Sequence, residues 1–179
     1  MTAMRTFTRT PKNRGFSLLE MAAVIAISGI LVAAAVPTYA HYMQRQQLRI
    51  AADTLLQDLR RAREMSISAR TSIFVTFHAG PQWCWGVSRG MPCDCAGNVT
   101  PTDKVFARCD VMTENNRNHF KDVVMDAAQD FEFKPGLGQV AQPGAAALRG
   151  KKGQNLQVVL NPLGRAHLCG QDAPGAQAC

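Results

Sequence analysis

Apolar residues follow three different patterns along the 179 residues. From Phe16 to Val36 they form a nearly unbroken run of 21 residues. Wound as a helix, that run is about 31 Å long, the thickness of a hydrocarbon core. Glu20 stands four residues into it. A charged group at the centre of such a helix costs about 2.5–3.5 kcal/mol, so an acid there points to a functional partner.

The second pattern covers residues 41–70. Leu48, Ala52, Leu55, Leu59, Ala62, Ser66 and Ala69 recur at alternating intervals of four and three. That spacing predicts one face of an amphipathic helix packed on a globular domain. Arg49, Gln57, Arg60, Arg61 and Glu64 fall on other faces, as a solvated surface would have them. Pro37 removes one helix hydrogen bond, and a kink or break is expected there.

After Arg70 the pattern shortens to strand-length runs: "SIFVTF", "WCWGV", "KVFA", "DVVM", "DFEF" and "LQVVL", separated by Gly, Pro and Asn turns. A long helix followed by such runs predicts an α+β fold, with the helix on antiparallel sheet. Trp83 and Trp85 flank Cys84, and one is expected buried with the other exposed. Residues 89–103 read as a long loop. Residues 141–155, "AQPGAAALRGKKGQN", read as a mobile basic loop carrying Arg149, Lys151 and Lys152.

Charge changes this picture less than the total of +7 suggests. Residues 1–15 carry Arg5, Arg9, Lys12 and Arg14 and no acid; without these four, 16 basic residues face 13 acidic ones, a balance of +3. The basic leader ahead of the apolar run favours a cytoplasmic N-terminus and an exported C-terminal domain. No small-residue cleavage site follows the run, so it does not read as an ordinary secretory signal.

The six cysteines, Cys84, Cys93, Cys95, Cys109, Cys169 and Cys179, all follow the apolar run. An even count in an exported domain predicts disulfides. Cys93 and Cys95 are too close to bond each other. They are expected to pair separately with Cys84 and Cys109, in either of two arrangements, and Cys169 with Cys179. The C-x-C spacing fits a metal site poorly, and no metal or cofactor is expected. His41, His78, His119 and His167 are scattered without a triad context, which argues against an enzyme.

"RGFSLLE", with Gly15, Phe16 and Glu20, resembles the class III signal of type IV pilins and the pseudopilins of type II secretion. The resemblance implies cleavage after Gly15 by a prepilin peptidase and methylation of Phe16. It also implies that Glu20 guides assembly by meeting the N-terminal amine of an adjacent subunit. A pilin fold follows, divided into leader (1–15), transmembrane assembly helix (16–36), amphipathic stalk (37–70) and β-rich periplasmic domain (71–179). The protein would sit in the bacterial inner membrane and then in a pilus or pseudopilus, with other pilins as partners.

Leu59, Ala62, Arg63, Glu64, Arg70 and Val75 resemble the GspH/FimT branch of these proteins, with Met65 in place of a small residue. In that branch a C-terminal "GR.R" segment is implicated in binding DNA during uptake. Gly164 and Arg165 match it, while His167 stands where the second Arg would be. An imidazole lacks the permanent charge and fork of a guanidinium. The resemblance implies DNA contact at Arg165 and His167, and the mobile basic loop adds Arg149, Lys151 and Lys152, which can follow the phosphates of double-stranded DNA without reading bases. The alternative is a GspH-like secretion pseudopilin with a purely structural role.

Overall fold

The computed structural model describes residues 17–97, 107–116, 120–170 and 179. Within it the side chains of residues 34–38, 40–41 and 107–108 are also left aside. The chain divides into two compact units, Met1–Ala40 and His41–Cys179.

Helix α1 runs from Leu18 to Ser68. The expected break at Pro37 is not found, since the helix assignment continues through that residue. A single missing N–H leaves the neighbouring i→i−4 bonds in place. Residues 17–33, in the first unit, are exposed throughout. Among the described residues no helix is long and apolar enough to cross a membrane. The expected span, 16–36, takes in Phe16 and the side chains of residues 34–36, which lie outside the described set.

In the second unit the predicted stripe packs as expected. Leu48, Ala52, Leu55, Leu59, Ala62 and Ser66 are buried, joined by Ala51 and Leu56. Ala69 departs from the stripe and is exposed, because the helix has ended one residue earlier.

Ten strands follow: β1 (Ile73–His78), β2 (Cys84–Arg89), β3 (Cys93–Asp94), β4 (Ala107–Arg108), β5 (Met112–Asn115), β6 (Val123–Ala128), β7 (Phe131–Phe133), β8 (Gly144–Gly150), β9 (Asn155–Leu160) and β10 (Ala166–Cys169). They form two antiparallel sheets, ordered β5-β2-β1-β7 and β10-β9-β8-β6, and a short parallel pair, β3-β4. The inner faces carry Ile73, Val75, Val87 and Phe131 from the first sheet. The second contributes Met125, Leu148, Val158 and Leu160 to the same buried cluster as the α1 stripe.

Three expectations are corrected here. Trp83 and Trp85 are both fully buried. Residues two apart on a strand share a face, and the two indoles stack with ring centroids 5.0 Å apart. Their N–H groups tie the layers together: Trp83 Nε1 donates to the Val123 carbonyl and Trp85 Nε1 to Asp58 Oδ2, each at 2.8 Å. Second, the middle of the expected mobile loop 141–155 is strand β8, paired with β6 on one side and β9 on the other. Its run of small residues has low strand propensity, but Ala146 and Leu148 are buried on the core face and two neighbours complete its ladder. Third, the loop expected over 89–103 contains β3. Residues 98–103, including Asn98–Thr100, and most of "KVFA" lie outside the described residues.

The disulfides are Cys84–Cys95, Cys93–Cys109 and Cys169–Cys179. This settles which of the two expected arrangements holds. The first two lay the segment around β3 over the outer face of β2, so β2 is buried from Cys84 through Ser88. Thr76 Oγ1 donates to the Cys93 carbonyl beneath that cover, at 2.6 Å. Gly86 lies directly below Cys109, where a side chain would collide with the Cys109 sulfur.

Candidate functional site

The first candidate is the start of α1. Ser17 caps the helix: its carbonyl accepts from the Glu20 and Met21 N–H groups, and its Oγ accepts from the Leu19 N–H at 3.3 Å. Ser and Glu three residues apart have the sequence form of a capping box. Glu20 therefore occupies the first turn, where the unpaired N–H groups favour negative charge. It is exposed, surrounded by exposed apolar residues. Such a carboxylate is free to meet a cation from another molecule. Gly15 and Phe16, the expected processing pair, lie outside the described residues.

The second candidate is the set of basic residues at the C-terminal sheet. They do not gather at one place. Arg149 pairs with Asn155 near the β8–β9 turn, while Ala166 pairs with Leu160 at the far end. Leu160 in turn faces Gly144, so the two ends are about 17 Å apart along the strand.

At the first end, Arg149 is on the outward face of β8 and makes a two-pronged pair with Asp126. Nε to Oδ2 is 2.7 Å and Nη2 to Oδ1 is 2.8 Å. The guanidinium holds the Asp126 carboxyl below its ordinary range, and the carboxylate raises Arg149 in return. Lys151 Nζ lies 3.5 Å from Asp122 Oδ1. Lys152 is exposed in the same turn, closed by hydrogen bonds between Gly150 and Gln154 and between Gly153 and Gly150.

At the other end, Asn161 organises the β9–β10 turn. Its Oδ1 accepts from the Leu163 and Arg165 N–H groups at 3.1 and 2.9 Å. Gly164 has φ of 74° and sits against the Gly138 carbonyl, leaving no room for a Cβ. That same carbonyl accepts from Arg63 Nε at 3.2 Å. The turn is thereby docked on α1, and Arg165 is exposed beside it. An open cleft of about 350 Å³ is lined by Arg60, Arg63, Glu64, Gly164, Arg165 and Ala166. His167 is one residue into β10, exposed and opposite Val159.

From sequence, Arg60 is expected on the solvated helix face, and Arg63 belongs to the stretch that resembles the GspH/FimT branch. Only docking of the distant turn shows them beside Arg165. No local spacing in the sequence carries that signal.

Among the described residues no three His, Cys, Asp or Glu side chains gather to hold a metal ion. All six cysteines are disulfide-bonded, which leaves no thiolate for nucleophilic chemistry.

Comparison with known proteins bears on the family and the fold. Residues 10–36 match the prokaryotic N-terminal methylation motif. Residues 51–164 match the family model of the type II transport protein GspH. No curated protein matches at a significant level. Two crystal structures of the type IV minor pilin FimU from Pseudomonas aeruginosa (strain PAO1) resemble the chain. In one crystal form the TM-score is 0.50 at 17% identity, covering 77% of this chain and 98% of that one. In the other it is 0.48 at 16% identity, covering 73% and 98%. The first likeness extends the agreement to the fold, a long helix on antiparallel sheets. With its methylation motif, capped apolar helix and matched globular domain, this chain belongs to the GspH family of pilin-like proteins, a structural rather than an enzymatic family.

Proposed function

We propose that the protein is a minor subunit of a type IV pilus. A prepilin peptidase cuts after Gly15, and the new N-terminal Phe16 is methylated. The helix over residues 16–36 holds the subunit in the inner membrane with the domain of residues 71–179 in the periplasm. The subunit then joins or primes a filament with other pilins. The observation that carries this reading is the position of Glu20. It is a carboxylate in the capped first turn of an exposed apolar helix, where it is open to a cation from a neighbouring subunit. The amine created on Phe16 is such a cation.

The proposal includes a part in DNA uptake during natural transformation, through backbone contacts that read no bases. Arg165 supports it, since no ion pair among the described residues uses that side chain. Arg149 and Lys151 support it less, because each already faces an aspartate.

A second reading, a pseudopilin of type II secretion, is favoured by the match of residues 51–164 to a type II transport family. One deletion strain separates the two. Loss of piliation and transformation with normal secretion is expected. Loss of secretion with normal piliation assigns the protein to the secretion pseudopilus.

A further inference from the structure

We propose that the cleft between α1 and the start of β9, lined by Tyr42, Arg45, Arg49 and Gln154, holds the headgroup of an anionic phospholipid. This rests on the reading of residues 16–36 as a membrane helix.

Tyr42, Arg45 and Arg49 recur at intervals of three and four, so they share one face of α1. Leu48 and Leu156, both buried, give the cleft its apolar lining. Its volume is about 220 Å³, below the roughly 300–1,000 Å³ of pockets that enclose a whole small molecule. That size suits a polar headgroup whose acyl chains stay outside.

Charge selects the class of ligand. Among the described residues no carboxylate lines the cleft. Arg49 Nε lies 3.7 Å from Asp53 Oδ2, whereas Arg45 is exposed and takes part in no ion pair among the described residues. Guanidinium donors match phosphate oxygens in pairs. Gln154 is only 8% exposed, and its Oε1 has no hydrogen-bond partner. A buried acceptor left unpaired is costly. A headgroup with hydroxyls beside its phosphate, such as phosphoglycerol, offers it a donor.

Position selects the source. Tyr42 follows Val36 by six residues, so at most about 20 Å of chain separates it from the end of the apolar run. Tyr39 and Tyr42 are both exposed, as tyrosines at a membrane–water interface are. A phosphate bound there is one carried by the lipid surface.

The test is native mass spectrometry of the full-length chain in detergent, with phosphatidylglycerol, phosphatidylcholine or free glycerol phosphate at equal concentration. Phosphatidylglycerol adducts should exceed phosphatidylcholine adducts about fivefold, and Arg45→Gln should abolish that preference. Arg45→Lys should keep most of it. Lys134→Gln, near the Ser66 end of α1, should change it less than about twofold. Thermal unfolding of each variant controls for folding. Equal retention of both lipids, or an unchanged preference in Arg45→Gln, overturns the headgroup site while the membrane reading stands. Glycerol phosphate retained as well as the lipid makes this a site for a soluble phosphate and overturns the proposal. A dimer that Arg45→Gln dissociates, with no lipid preference, gives the cleft to a second copy and overturns it too. Release of the chain from cell membranes by alkaline carbonate overturns the membrane reading and the site with it.

Discussion

Asp58 shows how one residue couples the stalk helix to the sheet. Its carboxylate accepts the Trp85 indole N–H from within the core boundary. Burial pushes its pKa up from 3.8, with Glu114 adding to the rise, while the Trp85 bond and Arg61 oppose it. The folded state therefore holds a proton that the unfolded state has released, and stability falls as pH rises through the window above 3.8. Asp126 acts with the opposite sign: Arg149 depresses its pKa, so its contribution is present above 3.8 and is lost as pH falls through the lowered value. In urea unfolding followed between about pH 3 and pH 6, Asp58→Asn should flatten the decline with rising pH. An unchanged profile would remove Asp58 as its source. Gly164 makes a second residue-scale case. Alanine there meets both a left-handed φ and the Gly138 carbonyl, so Gly164→Ala should cost about 1–3 kcal/mol in the same measurement.

At the scale of elements, the amphipathic half of α1 was legible because its period of alternating fours and threes is set by helix geometry alone. Strands β1 and β9 were legible for a similar reason, being rich in branched and aromatic residues. Strand β8 was not, since "GAAALRG" has no strand signal of its own and is held by β6 and β9. The cystine cover on β2 sits between these cases: spacing narrowed it to two pairings, and the fold chose one. Cys93 and Cys109 close a separation of 16 residues, for which chain-entropy reasoning gives about 3 kcal/mol. Replacing both with serine should lower unfolding stability by about that amount and expose Thr76 and Gly86 to exchange. A much smaller loss, with β2 still protected from hydrogen exchange, would show that the cover holds without the bond.

At the scale of the whole molecule, the chain divides into two compact units, Met1–Ala40 and His41–Cys179. The described apolar residues of α1 from Leu18 to Val32 are exposed, and the globular unit has its own core. Glu20→Ala should therefore leave thermal unfolding of the globular unit unchanged while reducing incorporation into filaments severalfold, scored by immunoblot of sheared pili. Normal incorporation would end the pairing proposed for Glu20. The sequence by itself determined the elements whose information is local: the apolar helix with its acid, the amphipathic stripe, the even cysteine count and the turn residues. Tertiary structure decided what depends on residues far apart in the chain. It put both tryptophans inside, made a strand of a presumed loop and gave Arg149 and Lys151 to aspartates. It also set Arg60 and Arg63 beside Arg165, roughly a hundred positions away. Periodicity encodes which face of an element is buried, but not which distant element covers it.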